Sequence, residues 1–144
     1  MRIYMDVCCL NRPFDDLSQD KVYLEAEAIL AIISRCEKSD WVLLSSGTID
    51  YELSRLSNIN KLTEVLSLYA VAKERVKLAK IAEQRADFFQ QKGMKPLDSL
   101  HAATAESCNA DVFLTTDDRL IKALKRVGFK INFANPVFWL MEVD

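Results

Sequence analysis

Apolar residues in this chain come in two rhythms, short continuous runs and stretches that recur every three to four positions, the pattern of strands separated by helices. Ile3-Tyr4-Met5 is a first strand that ends on Asp6. Asn11-Arg12-Pro13-Phe14-Asp15-Asp16 reads as a loop or a single turn. Val22, Ala26, Ile29, Leu30, Ile33 and Cys36 then fall on one helical face. Trp41-Val42-Leu43-Leu44 is a second strand, and a helix opening near Thr48 carries Glu52 and turns Ile49, Leu53 and Leu56 inward. From Leu62 to about Gln91 the pattern stays helical, in two or three pieces. Pro96 starts the next helix, Leu97 to about Cys108, in which Ala102, Ala103 and Ala105 allow close approach to a sheet. Asp111–Thr115 is a third strand, and Asp117–Val127 a helix with Leu120, Ile121, Leu124 and Val127 inward. Lys130–Ala134 is a fourth strand, and the tail Asn135–Val143, with Pro136 and Trp139, closes as a short helix. Gly93 and Gly128 each follow a helical stretch, as C-terminal caps do, and Gly47 follows an apolar run.

Strands alternating with helices imply right-handed crossovers and an α/β fold: a three-layer α/β/α sandwich around a central parallel sheet of four to five strands. The 144 residues, without repeat or linker, suit one domain over 1–144. In such folds functional residues gather at the carboxyl ends of the strands. Four acids take that kind of position. Asp6 directly follows the first strand, and Asp117 comes two residues past Thr115. Glu52 lies one turn into the helix after the second strand, and Asp98 in the first turn of the helix at Pro96.

Carboxylates placed together repel and hold on to protons unless a counter-charge is present. Mg²⁺ or Mn²⁺ takes oxygen ligands of this kind, acidifies water and shields charge developing on a phosphate, so the set fits phosphodiester hydrolysis. Each acid also has a plainer role open to it. Asp98 suits a helix N-terminus by its charge, Asp117 suits an N-cap with Asp118 solvated beside it, and Glu52 suits a helix surface. Asp6 is harder to explain away, because it ends a buried strand and precedes the apolar Val7-Cys8-Cys9-Leu10.

Composition narrows the class. Half of the residues are hydrophobic, enough for a sizeable core, and charges interrupt every long apolar run, so no membrane span is expected. Met1-Arg2-Ile3-Tyr4-Met5-Asp6 does not resemble a signal peptide, and a cytoplasmic location follows. The four cysteines, Cys8, Cys9, Cys36 and Cys108, lack zinc spacing and read as small, reduced core residues. A net charge of −2 argues against a strongly basic DNA-binding module but not against local contact with nucleic acid.

The chain resembles the PIN-domain family, the ribonucleases that include VapC-type toxins. Ile3-Tyr4-Met5-Asp6 is similar to the family's opening strand and first acid, and Ile49-Asp50-Tyr51-Glu52-Leu53 to its helix-borne glutamate. Pro96-Leu97-Asp98-Ser99-Leu100-His101-Ala102-Ala103-Thr104-Ala105 resembles its aspartate before an alanine-rich helix, and Leu114-Thr115-Thr116-Asp117-Asp118-Arg119 its final strand and acid. The resemblance implies Mg²⁺- or Mn²⁺-dependent cleavage of single-stranded RNA, with Asp6, Glu52, Asp98 and Asp117 as metal ligands. Thr115 would orient the last acid, and Asp118 would replace it if the register slips by one. It also implies a candidate toxin role in a type II toxin–antitoxin pair, with an antitoxin as partner.

This chain departs from many relatives in carrying Val7 where they have Ser or Thr after the first acid. Asn11 and Arg12 are candidates to contact phosphate, or else to form a turn before Pro13. His101, three residues after Asp98, shares its helical side and is a candidate to hydrogen-bond it, to assist at the scissile phosphate, or simply to pack. Arg119, Lys122, Lys125 and Arg126 either guide RNA or form a solvated helix face. The apolar Leu62–Val76 region is a candidate homodimer face or antitoxin groove. The competing function is a catalytically silent PIN-like module acting through protein contacts. A nucleotide-binding domain lacks its Gly-rich phosphate loop, and an aspartyl phosphotransferase lacks a second aspartate, since Cys8 holds that place.

Overall fold

The structure is a computed structural model that describes residues 1–143. In chain order its elements are β1 (Arg2–Met5), α1 (Val7–Asn11), a 3-10 turn (Arg12–Phe14), α2 (Asp20–Glu37), β2 (Val42–Ser46), α3 (Gly47–Ser54) and α4 (Ile59–Tyr69). They continue with β3 (Glu74–Val76), α5 (Lys80–Gln91), α6 (Pro96–Ser107), β4 (Val112–Leu114), α7 (Asp118–Val127), β5 (Asn132–Ala134) and α8 (Pro136–Val143). The five strands form one sheet in the order β3-β2-β1-β4-β5, and every neighbouring pair is parallel. Helices cover both faces, which gives the expected α/β/α sandwich.

Burial on both faces explains why the central strands read as unbroken apolar runs rather than as alternating ones. Ile3, Tyr4 and Met5 are all buried, as are Val112, Phe113 and Leu114. Tyr4 stacks on Phe113, and Phe113 meets Phe129 edge-on. Ala102, Ala103 and Ala105 are buried, as their small size predicts for a helix lying against the sheet.

The strand order reverses at β1: the chain crosses from β1 to β2 on one side and later returns to β4 on the other. A crevice opens at such a point beyond the carboxyl ends of the strands. Asp6 stands there, its backbone N–H donating to the Leu114 carbonyl across the β1–β4 boundary at 2.9 Å.

Several local readings are corrected. The Leu62–Gln91 stretch is not wholly helical, because β3 interrupts it. This edge strand carries Glu74 and Arg75, so no apolar run marks it. On α2 the stripe is rotated: Ile32 is buried, whereas Leu30 is exposed. Val7–Asn11 is a helix, too short for periodicity to reveal. β2 runs on to Ser46, where the serine hydroxyl caps α3 by accepting from the Ile49 N–H at 3.1 Å. Among the described residues no helix is long and apolar enough to cross a membrane.

Candidate metal centre

Asp6 ends β1 and precedes α1 without capping it by its side chain. The residue is only 5 % exposed. The Thr115 hydroxyl donates to Asp6 Oδ2 at 3.0 Å, and the Cys8 thiol approaches the same oxygen at 3.4 Å. Thr115 Oγ1 also accepts from the Asp117 backbone N–H at 3.1 Å, so one hydroxyl ties the first acid to the last. With no hydroxyl at Val7, Asp6 is supported by Thr115, just past the end of β4.

Glu52 projects from α3, whose start is fixed by the Ser46 cap. Its Oε1 lies 2.7 Å from His101 Nε2. His101 is wholly buried, and its Nδ1 is 2.7 Å from the Tyr4 hydroxyl, which in turn is 3.0 Å from Ser46 Oγ. An ionised Glu52 can only accept, so His101 Nε2–H donates to it. The other ring nitrogen, Nδ1, is tied to the Tyr4 hydroxyl, which is tied in turn to Ser46 Oγ. Of the roles open to His101, the buried and hydrogen-bonded packing residue is the one seen, and no hydrogen bond to Asp98 is found among the described residues. The carboxylate partner of His101 is Glu52, because α3 and α6 pack together and bring that carboxylate to the ring edge.

One ligand atom each from Asp6, Glu52 and His101 lie within 4.8 Å of one another. Asp98 and Asp117 complete the electrostatic site. Burial pushes the Asp6 carboxyl well above the usual carboxylate range, and the negative charges of Cys8, Asp98 and Glu52 add to this against His101. Burial likewise raises Asp98, helped by Asp117 and Glu52 and opposed by His101 and Lys95. Asp117 is also the N-cap of α7, its Oδ1 accepting from the Arg119 N–H at 2.9 Å and the Leu120 N–H at 3.3 Å.

Of the four acids, Asp6 and Glu52 thus meet directly, Asp98 is near enough to raise Asp6, and Asp117 is near enough to raise Asp98, while other candidates lie apart. Asp118 is exposed and pairs with Lys21 at 2.9 Å, so it is no substitute for Asp117. Arg12 does not reach toward the crevice acids. Its Nη1 bonds Asp15 at 3.1 Å, and its Nε lies 3.0 Å from the buried Glu25. Asn11 Oδ1 is buried beside this network without a hydrogen-bond partner among the described residues. Tyr4, Ser46 and Cys8 escaped sequence reasoning. Each looks like an ordinary strand or core residue, and its partner is more than a hundred residues away or on another element.

The donors offered here are mostly carboxylate oxygens, crowded enough that their charges resist one another. That set fits a hard divalent cation, which would relieve the repulsion. His101 fits less well as a ligand, since both of its ring nitrogens already have partners.

Comparisons with known proteins bear on this geometry. A family model described as "PIN domain" matches residues 17–128, a span that contains Glu52, Asp98 and Asp117 and begins after Asp6. A crystal structure of VapBC2 from Rickettsia felis, bound to a DNA fragment from its promoter, is similar in fold. The TM-score is 0.59 at 16 % identity, covering 94 % of this chain and 98 % of that one. No curated protein matches.

Proposed function

The chain belongs to the PIN-domain family, and on that premise we propose that it is a Mg²⁺- or Mn²⁺-dependent endoribonuclease acting on single-stranded RNA. The observation that supports this reading above others is the nearness of Asp6 to Glu52, with Asp6 and Asp98 held above their ordinary pKa by burial and by neighbouring carboxylates, Asp98 and Glu52 acting on Asp6 and Asp117 and Glu52 on Asp98. Asp6, Glu52, Asp98 and Asp117 would hold the ion. When bound, it supplies the counter-charge these acids lack, a Lewis acid for the phosphate and a nucleophile at neutral pH.

The protein's own residues do the positioning. Thr115 fixes the orientation of Asp6 and, through the Asp117 backbone, the start of α7. His101, backed by Tyr4 and Ser46, fixes Glu52. Pre-set carboxylates need little reorganisation when the substrate arrives. Water attacks the phosphorus in line with the departing 3′ oxygen and leaves 5′-phosphate and 3′-hydroxyl ends.

The same reading makes the protein a cytoplasmic toxin with an antitoxin partner, and candidate contact surfaces are present. Leu66 is exposed on α4 within the Leu62–Val76 region, although Val65 and Val76 there turn inward. Leu24 on α2 and Phe138 and Met141 on α8 expose further apolar surface. A dimer of this chain by light scattering at micromolar concentration would assign one such face to self-association.

The test is cleavage of a labelled single-stranded RNA. Wild-type protein should cut it with Mg²⁺ or Mn²⁺ and not in EDTA, and Asp6→Asn should abolish cutting while keeping the fold. Metal-independent cleavage, or full activity in Asp6→Asn, would overturn the reading.

A further inference from the structure

Next to the acids lies an open cleft of about 340 Å³ between α7 and the loop leading into α6. Asp98 and Asp117, the latter at the start of α7, are part of its lining, and Lys95, Arg119, Lys122 and Arg126 are the rest of its polar part. Arg119, Lys122 and Arg126 are spaced i, i+3 and i+7, so they stand in a row along one side of α7. From the first to the last the row covers about 10 Å at ~1.5 Å per residue.

The two arginines of this row are unlike the others. The chain has eight arginines. Six have side-chain partners: Arg2 with Glu74, Arg12 with Asp15, Arg35 with Asp40, Arg55 with the Tyr51 hydroxyl, Arg75 with Asp50 and Arg85 with Glu106. The two without a hydrogen-bond or ion-pair partner among the described residues are Arg119 and Arg126, and both line this cleft. In a chain of net charge −2, four neighbouring cations that no carboxylate holds in an ion pair among the described residues make a local anion site, even with Asp98 near Lys95. Their position matters as much as their sign. A phosphate ester drawn to the row meets Asp98 and Asp117 in the same cleft, so neighbouring phosphates of one strand can occupy the row and the acid cluster together.

We propose that this row holds backbone phosphates of the single-stranded substrate on one side of the scissile bond, with Arg119 and Arg126 as substrate-positioning residues. The inference rests on the nuclease reading and adds the surface along which the strand lies. The cleft lining contains no aromatic side chain on which a base could stack. Contact there is therefore to phosphate and carries little sequence preference.

The experiment measures a labelled RNA dodecamer by anisotropy in EDTA, and KM and kcat with Mn²⁺, for wild type and Arg119→Gln/Arg126→Gln. Lys125→Gln, on α7 but outside the cleft, is the control, and thermal melting checks the fold. Losing two phosphate contacts should weaken binding about tenfold and make the log–log salt dependence shallower by roughly 1.4, at ~0.7 per contact. KM should rise with kcat within about twofold, and Lys125→Gln should change neither. If the double variant keeps wild-type affinity, salt slope and KM while wild type still cleaves, the row is not the strand's path and the nuclease reading survives. Equal loss in Lys125→Gln, which would mean a diffuse charge effect, overturns the row as well. If wild type binds through these arginines but never cleaves, the row stands and the nuclease reading fails.

Discussion

His101 Nε2 lies 2.7 Å from Glu52 Oε1, and this contact makes a histidine on one helix the support of a carboxylate on another. The support continues inward, because Nδ1 of the same ring is 2.7 Å from the Tyr4 hydroxyl. Tyr4→Phe keeps the stacking on Phe113 but removes the group that bonds Nδ1. A buried ring nitrogen left without its partner should lower stability by about 1–2 kcal/mol in denaturant unfolding. If the relay orients Glu52, Mn²⁺ affinity by calorimetry should fall several-fold as well. A stability loss with unchanged affinity would reduce Tyr4 to a packing residue.

Asp117 has two roles that substitution can separate. Asn caps a helix about as well as Asp, so Asp117→Asn should keep wild-type stability while losing most metal-dependent cleavage. Asp117→Ala should lose cleavage and also about 1 kcal/mol of stability with the cap. Normal cleavage in Asp117→Asn would leave the residue as a cap only.

The buried Asp6 carboxyl sets a pH dependence for the metal-free protein. Its folded pKa is raised, so between the ordinary carboxylate value and that higher value the folded state binds more protons than the unfolded chain. Stability therefore falls as pH rises through this window, and above it the full penalty is present. Asp6→Asn cannot ionise, so it should melt a few degrees higher than wild type at pH 8 in EDTA, and by less at pH 4. Saturating Mn²⁺ should remove the advantage. A variant that is less stable than wild type at pH 8 would contradict the charge crowding inferred for Asp6.

Arg12 is expected to matter for folding rather than for RNA. Glu25 is 1 % exposed and is held by Arg12 Nε at 3.0 Å and Asn135 Nδ2 at 2.6 Å. Arg12→Ala leaves that carboxylate without a counter-charge and should destabilise by about 3 kcal/mol. Affinity for the RNA dodecamer should not change. Lost affinity with wild-type stability would make Arg12 a phosphate contact after all.

The α/β class and the positions of the acids were legible in the sequence because they depend on local signals. Apolar runs mark β1, β2 and β4; Asp6 and Asp117 come just past a strand, Asp98 lies in the first turn of a helix, and Glu52 lies within the helix that follows β2. β3 was hidden because an edge strand with Glu74 and Arg75 lacks an apolar run. The partners of Tyr4 and His101 were hidden because 97 positions separate them and only the β1–α6 packing brings them together. Arg119 and Arg126 were visible as a basic stretch, but their lack of partners is a property of the folded surface. Arg12 and Arg119 look alike in sequence, and only Glu25 and Asp15 distinguish them.

The central claim is that Asp6, Glu52, Asp98 and Asp117 form one divalent-cation site. Calorimetric titration of Mn²⁺ into the metal-free protein tests it most directly. The account predicts saturable binding in wild type at millimolar Mn²⁺ or below, weakened at least about tenfold in both Asp6→Asn and Asp98→Asn, two acids brought together only by the fold. No binding in wild type at millimolar Mn²⁺, or the same affinity in wild type and both variants, would contradict it.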